Sequence, residues 1–347
     1  PVGRTSEGGS DISKQPTRRD ERDGGERVDD SRDAASDGER GGVTGRADER
    51  ATSKQPDVEG DTGKPVRGVK KRNSRNFNYG SGHLELENGE IAKIKANIVA
   101  IETLQGIEKS GKEATSEQKK ILSKYVGWGG LASVLDEEKY KNRNLYSRDY
   151  NWNTKFLPYY ERLRELLSED EFRSALLSTT NAHYTAENIV RGLWSIATRL
   201  GFRGGNVLEP AMGVGNVLAF MPKSISENSN ITGFEIDSVS GRISKVLYPD
   251  ANIRVTGYET AFAPNTKDLV ITNVPFGQNA PYDSKLDRTL RKELGGAYNL
   301  HNYFIGKSLL ELKEGGVGIF ITSSATLDGA DSRFRDYVVS QGCDLVG

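Results

Sequence analysis

The chain has 347 residues, with 48 Lys plus Arg against 49 Asp plus Glu and a net charge of −1. Overall charge therefore neither indicates nor excludes a nucleic-acid partner, and any such contact falls to local basic patches. A single cysteine, Cys343, excludes a disulfide framework and a Cys-built zinc site, and three histidines scattered from His83 to His301 do not suggest a metal centre. No apolar run approaches the roughly 18 residues of a membrane span. The charged, glycine-rich start is unlike a signal peptide, so a cytoplasmic protein is expected. The chain begins with Pro1 and not Met, which leads us to expect a longer parent protein.

Residues 1–75 are dominated by Gly, Asp, Glu, Arg and Ser, and the first aromatic is Phe77. Such a segment buries too little apolar surface to offset its chain entropy, so it reads as disordered. Its mixed charges suit a solvated tether better than a basic arm. Residues 76–178 read as a helical subdomain. Ile94, Ile98, Ile101 and Leu104 give helix periodicity over 91–107. A second helix is expected over 116–125, with Ser116 as N-cap, stopping at Gly127-Trp128-Gly129-Gly130. Further helices are expected over 159–167 and 169–177. Trp128 suits an aromatic anchor between subdomains better than a groove for DNA.

Residues 179–347 alternate helix and strand. A helix over 187–200 would bury Ile189, Leu193, Ile196, Ala197 and Leu200. Strands are expected at 207–209, 231–235, 253–255, 268–272 and 318–322, and a sixth is expected to begin at 344–346. Helices fall at 238–247, 302–312 and 333–340. This alternation predicts an α/β fold with a doubly wound, mostly parallel, Rossmann-like sheet.

Three turns carry the chemistry, each at the end of an expected strand, where a doubly wound sheet binds ligands. The first is Glu209-Pro210-Ala211-Met212-Gly213-Val214-Gly215. Its glycines allow close backbone approach, but Leu218 stands where a dinucleotide fingerprint needs a third Gly, which argues against NAD. The second is Gly233-Phe234-Glu235-Ile236-Asp237. Glu235 there is placed to accept hydrogen bonds from the ribose hydroxyls of an adenosine, and Asp237 suits the N-cap of the next helix. The third is Asn273-Val274-Pro275-Phe276. An exocyclic amine on adenine is a poor nucleophile because its lone pair is delocalised into the ring. Acceptors on its two hydrogens help it become tetrahedral. The Asn273 side-chain carbonyl offers one acceptor and the Val274 backbone carbonyl another. Pro275 restricts Val274 to extended conformations. Phe276 offers a flat face for an extruded base.

Asn273-Val274-Pro275-Phe276 resembles the Asn-Pro-Pro-Tyr/Phe motif of amino-methylating DNA methyltransferases, with Val for the first Pro. Glu209 to Gly215 resembles the cofactor motif of that family, and Glu235 matches its ribose-binding acid, with Ile236 beside it. The resemblance implies S-adenosylmethionine as cofactor, DNA as partner and adenine as target. His183-Tyr184-Thr185-Ala186 resembles the Tyr/Phe-Thr-Pro element that closes over the methionine end of the cofactor. Ala186 stands there for Pro, and Thr185 serves equally as N-cap of the following helix. Glu259, in Gly257-Tyr258-Glu259, occupies the place of an acid that meets the cofactor adenine. The motif order is similar to the gamma arrangement. Tyr125 to Leu131, Asn273 to Gly277 and Gly315-Gly316-Val317 followed by Ile321-Thr322-Ser323 further resemble large methyltransferase–helicase fusion proteins of phages and conjugative elements. That implies a bacterial or phage-encoded protein with a downstream helicase region. Lys285, Arg288, Arg291 and Lys292 either contact phosphates beside the flipped base or form a solvated loop face. Methylation of RNA or of protein glutamine, and a non-catalytic cofactor- or DNA-binding module, are the competing readings.

Overall fold

Alternation of apolar side chains along short runs sorts residues onto the two faces of a strand, and the sheet is built on that rule. In the computed structural model, which describes residues 74–142, 150–179, 185–286 and 299–347, five strands form one sheet. They are β1 (Gly205–Glu209), β2 (Ser229–Glu235), β3 (Asn252–Val255), β4 (Lys267–Asn273) and β5 (Leu312–Ile321). Their order is β3-β2-β1-β4-β5, and every neighbouring pair is parallel. Val207, Leu269 and Ile271 join the apolar cluster on one face, while Leu208 and Val270 join the cluster on the other. The fold is the doubly wound, Rossmann-like α/β sheet expected from the sequence.

Helices cover both faces. Glu187–Arg199 and Ser238–Leu247 lie with the first cluster, and Leu300–Glu311 and Arg333–Ser340 lie with the second. Asp237 caps Ser238–Leu247 as expected, accepting the Ser240 N–H at 2.8 Å. The expected face of Glu187–Arg199 needs correction. Val190, Leu193, Trp194 and Ala197 are buried, whereas Ile189, Ile196 and Leu200 are exposed. Trp194 shifts the buried stripe because its indole N–H reaches the Val217 carbonyl at 2.7 Å inside the core. No sixth strand forms at 344–346, where Leu345 and Val346 are exposed. β5 starts at Leu312, six residues before the expected 318, with a register irregularity opposite Lys267 and Leu269.

The helical part contains Glu90–Ser110, Ser116–Leu122, Glu137–Asn142, Tyr150–Lys155, Leu157–Leu166 and Glu169–Ser178, with a short 3₁₀ turn at Ala132–Leu135. Ile94, Ile98, Ile101 and Leu104 are buried, as their spacing requires. The second helix is capped by Thr115 and not Ser116. Thr115 and Gln118 form a reciprocal capping box, which a residue one position later could not complete. This part shares one apolar cluster with the sheet. Arg242 bridges the two parts through Glu171 and, at 2.8 Å, through Glu108. Among the described residues no helix is long and apolar enough to cross a membrane.

The segment just before the first helix straps the sheet domain. Phe77 and Tyr79 donate backbone N–H groups to the Leu247 and Ala219 carbonyls at 2.7 and 2.9 Å. Glu187 anchors the other end of the strap, accepting the Leu84 N–H, His83 Nδ1 and Arg191 Nε, each at 2.8 Å. Burial pushes this carboxyl up, but those three donors together outweigh it and hold the group at about 2. A depressed carboxylate stabilises the fold above its unfolded value of 4.5 and loses that contribution as pH falls through about 2. Acid unfolding followed by circular dichroism is therefore expected to show a steeper loss of stability across that window in the wild type than in Glu187→Gln. Equal slopes would contradict the anchoring role.

Candidate functional site

β1 leads towards β2 and β3 on one side of the sheet, while β4 leads to β5 on the other. The reversal of strand order thus falls between β1 and β4, where parallel sheets leave a crevice at the strand carboxyl ends. The first and third sequence turns lie there side by side. They line one cavity of about 570 Å³, within the range of small-molecule sites.

The Gly-rich turn leaves β1 at Glu209. Gly213 has φ +54° and Gly215 φ +84°, conformations that strain side-chain-bearing residues. Gly213 lines the cavity; Gly215 does not, and a Cβ on it would lie 2.3 Å from the Tyr248 ring. The Gly213 N–H donates to Glu235 Oε2 at 2.7 Å, and the Asp237 N–H donates to Glu235 Oε1 at 2.8 Å. Glu235 therefore fixes the turn as well as lining the cavity. Burial, reinforced by the Asp237 charge and opposed by the backbone N–H groups, pushes its carboxyl up to about 7. Glu209 is 2% exposed, and its Oε2 is buried without a hydrogen-bond partner. Burial, and then the neighbouring Glu235, raises its carboxyl well above the ordinary range.

Asn273 ends β4. Its Nδ2 donates to Thr185 Oγ1 at 3.1 Å, which leaves Oδ1 as the free end of the amide. That oxygen too is buried without a partner. Thr185 does not cap the Glu187–Arg199 helix. Ala186 occupies the N-cap position, and no side-chain bond is made there. Val274 is buried and donates its N–H to the Ile321 carbonyl at 3.1 Å, which ties the turn to the end of β5. Pro275 and Phe276 line the cavity, and the Phe276 ring lies 6.2 Å from that of His301 in a tilted arrangement.

The cavity draws together Thr185, Glu209, Pro210, Gly213, Glu235, Ile236, Glu259 and the run from Asn273 to Phe276. Tyr184 and His183 lie outside the described residues, as do Arg288, Arg291 and Lys292. Lys285 is described, and its N–H donates to Asp283 Oδ1 at 3.0 Å. One wall is absent from the sequence reading. Tyr125, Trp128, Ser174 and Leu177 reach the cavity from the helical part. Asn97 holds that wall in place, donating to the Gly127 carbonyl at 2.6 Å and accepting the Val126 N–H at 2.9 Å. Trp128 is both core anchor and wall, packed edge-on to Tyr125. The glycines around Trp128 were the available signal, since Gly127 and Gly130 take φ +67° and +71°. Among the described residues no cluster of His, Cys, Asp and Glu could hold a metal ion.

Fold and site together define a class: a parallel α/β domain with a ligand cavity at its strand-order reversal, walled by two buried, unpartnered acceptors. No family model matches the chain. It is 25% identical over 272 residues to the "Defense against restriction protein B" of Escherichia phage P1, across 78% of this chain and 10% of that protein. It is 31% identical over 130 residues to the type II methyltransferase M.AccI of Acinetobacter calcoaceticus, across 35% of this chain and 24% of that protein. The chain thus spans about a tenth and about a quarter of the lengths of these curated relatives. Among solved structures, it is similar to a class I S-adenosylmethionine-dependent methyltransferase from Listeria monocytogenes (TM-score 0.40, 16% identity, 72% of this chain and 78% of that one). It is also similar to a type I restriction-modification methyltransferase subunit from Streptococcus thermophilus (TM-score 0.41, 11% identity, 72% of each chain).

Proposed function

We propose that this chain transfers a methyl group from S-adenosylmethionine to the exocyclic amine of an adenine flipped out of DNA. One observation carries the reading: Asn273 Oδ1 and Glu209 Oε2, buried oxygens without partners, end adjacent strands and belong to residues lining one cavity. A buried acceptor left unpaired costs about 1–3 kcal/mol, so two in one cavity are sites awaiting donors. Their chemistries differ. A neutral amide oxygen suits an amine hydrogen, and a carboxylate suits a cation.

When bound, S-adenosylmethionine supplies a methyl carbon activated by a positively charged sulfur, and the accepting nitrogen sheds a proton to solvent. The residues present fit that group. Glu209 would hold the ammonium of its methionine part. Glu235 would take the ribose hydroxyls and Glu259 would meet the adenine. Ile236 gives an apolar edge, and Gly213 lets backbone approach without a Cβ. Asn273 Oδ1 and the Val274 carbonyl would each accept one hydrogen of the target amine, and Phe276 would stack on the extruded base. Stacking worth about 1–3 kcal/mol per base offsets part of the few kcal/mol of unstacking. The methyltransferase M.AccI and the restriction-defence protein of phage P1 support DNA as the acceptor. A helicase region in a longer bacterial or phage-encoded parent protein, working in the cytoplasm, belongs to the same proposal.

The deciding experiment incubates the chain with labelled methyl donor and DNA, RNA or protein, then digests modified DNA to nucleosides. Label in methyladenine is expected. Label confined to RNA or protein would overturn the acceptor, and no transfer to any acceptor would leave a binding module.

Thr185 provides a finer check. Its hydroxyl holds the Nδ2 end of Asn273, so Thr185→Val leaves the amide free to rotate. Loss of a single hydrogen bond of about 1 kcal/mol is expected to lower kcat about fivefold, with KM for DNA little changed, and Thr185→Ser is expected to restore it. An unaltered Thr185→Val enzyme would remove Thr185 from this role.

A further inference from the structure

Behind the cavity lies a charged group that the proposed reaction does not use. Lys307, on the Leu300–Glu311 helix, is fully buried, and so is Asp283. The Lys307 ammonium donates to Asp283 Oδ2 and to the Tyr258 carbonyl, both at 2.7 Å. It lies 4.3 Å from the centre of the Tyr258 ring. The Tyr303 hydroxyl donates to the same carboxylate oxygen at 2.8 Å. One ammonium therefore joins three segments that are far apart in the chain. The first is the Tyr258–Thr260 turn, whose Tyr258 and Glu259 line the cavity. The second is the stretch after Phe276, whose Ala280 and Pro281 also line it. The third is the helix that backs both.

Stability alone is a poor reason for such a pair. Removing two charges from water is costly, and apolar residues of similar volume in their place are often neutral or stabilising. What an apolar pair lacks is direction. Three hydrogen bonds converging on Asp283 and the Tyr258 carbonyl specify where each segment sits, whereas packed methylenes tolerate sliding. We infer that Lys307 is a positioning residue that sets the spacing between the Tyr258–Glu259 wall and the loop that follows Phe276. The inference builds on the proposed function, in which those walls are the adenosine end of the cofactor site and the base site.

The test compares the wild type with Lys307→Met, with Lys307→Met/Asp283→Leu, and with Tyr303→Phe. The single Met variant strands the Asp283 charge and is expected to melt well below the wild type. The double apolar variant is expected to recover most of that loss, short of what the Tyr258 carbonyl and Tyr303 hydroxyl it leaves unpaired cost. Even so, amides of residues 256–261 and 277–286 should exchange with deuterium at least tenfold faster than in the wild type. Its affinity for S-adenosylhomocysteine is expected to fall about tenfold, and kcat for DNA to fall more than KM changes. A double variant that recovers stability, exchange protection and affinity together would show Lys307 to be mere filling, and would overturn the inference. If the double variant does not fold, Tyr303→Phe decides. Faster exchange in 277–286 supports the clamp, and unchanged exchange overturns it. Exchange is read without ligand, so a wild type that binds no S-adenosylhomocysteine would sink the proposed function and still leave the clamp decided.

Discussion

Asn273→Ala is expected to lower the rate of methyl transfer about 10²–10³-fold, the range seen when one preorganised polar group is removed from a reacting centre. Affinity for S-adenosylhomocysteine is expected to change no more than about twofold. The separation follows from geometry. Asn273 ends β4, with its Nδ2 committed to Thr185 and its Oδ1 free. The acids expected to hold the cofactor leave β1 and β2. An alanine removes the acceptor that draws the amine towards tetrahedral geometry and leaves those acids untouched. Alanine also removes a buried unsatisfied oxygen, so the variant should melt no lower than the wild type by much. Single-turnover transfer from labelled donor and calorimetric titration with S-adenosylhomocysteine measure the two quantities separately. Undiminished transfer by Asn273→Ala would end the catalytic assignment of the β4 turn.

Glu209→Gln is expected to act in the opposite sense, on binding and not on the chemical step. Burial and then Glu235 raise the Glu209 carboxyl well above its ordinary range, so its charged form is disfavoured in the free protein. An ammonium placed against it favours the carboxylate, and cofactor uptake then releases a proton. Affinity should therefore strengthen as pH rises. Glu235, pushed up to about 7, adds a dependence of the same sign if ribose hydroxyls donate to its ionised form. Breaking a buried charge pair typically costs about 2 kcal/mol or more, so Glu209→Gln should weaken S-adenosylmethionine binding about 30-fold or more. It should also remove most of the proton release. Calorimetry in two buffers of different ionisation enthalpy counts those protons. The free protein provides the control. A carboxyl with a raised value destabilises the fold above its unfolded value, and that cost persists to high pH. Glu209→Gln should therefore melt at or above the wild-type temperature while binding worse, a combination that a misfolded variant cannot produce. Equal affinity at all pH values would remove Glu209 from the cofactor site.

The legible parts of this molecule were those coded over short distances. The Ser238–Leu247 and Arg333–Ser340 helices keep their expected bounds, and Asp237 caps the first as its position suggests. The misreadings have local causes of a different kind. Ile189 and Ile196 are as apolar as Val190 and Leu193, so periodicity alone could not say which stripe of that helix faces inward; the indole of Trp194 did. The start of β5 at Leu312, directly after Glu311 ends a helix, leaves no polar turn to mark it. Leu345 and Val346 have strand-like composition, but no neighbouring strand covers them among the described residues.

By itself the sequence determined the parallel α/β class and the placing of three polar turns after three strands, because helix and strand periods are read within a few neighbours. It also singled out the side-chain oxygens of Asn273 and Glu235 as chemistry, with Glu209 only as part of a motif-like turn. Only the tertiary structure decided that β2, β1 and β4 lie side by side, which puts all three of those turns around one cavity. It alone showed that Glu209 and Asn273 each keep a buried oxygen unpaired, that the Tyr125–Trp128 turn closes the far wall, and that Lys307 reaches Asp283 and Tyr258. Those are properties of packing between residues tens to well over a hundred positions apart. Whether a polar atom finds a partner depends on everything folded around it, and no local pattern carries that information.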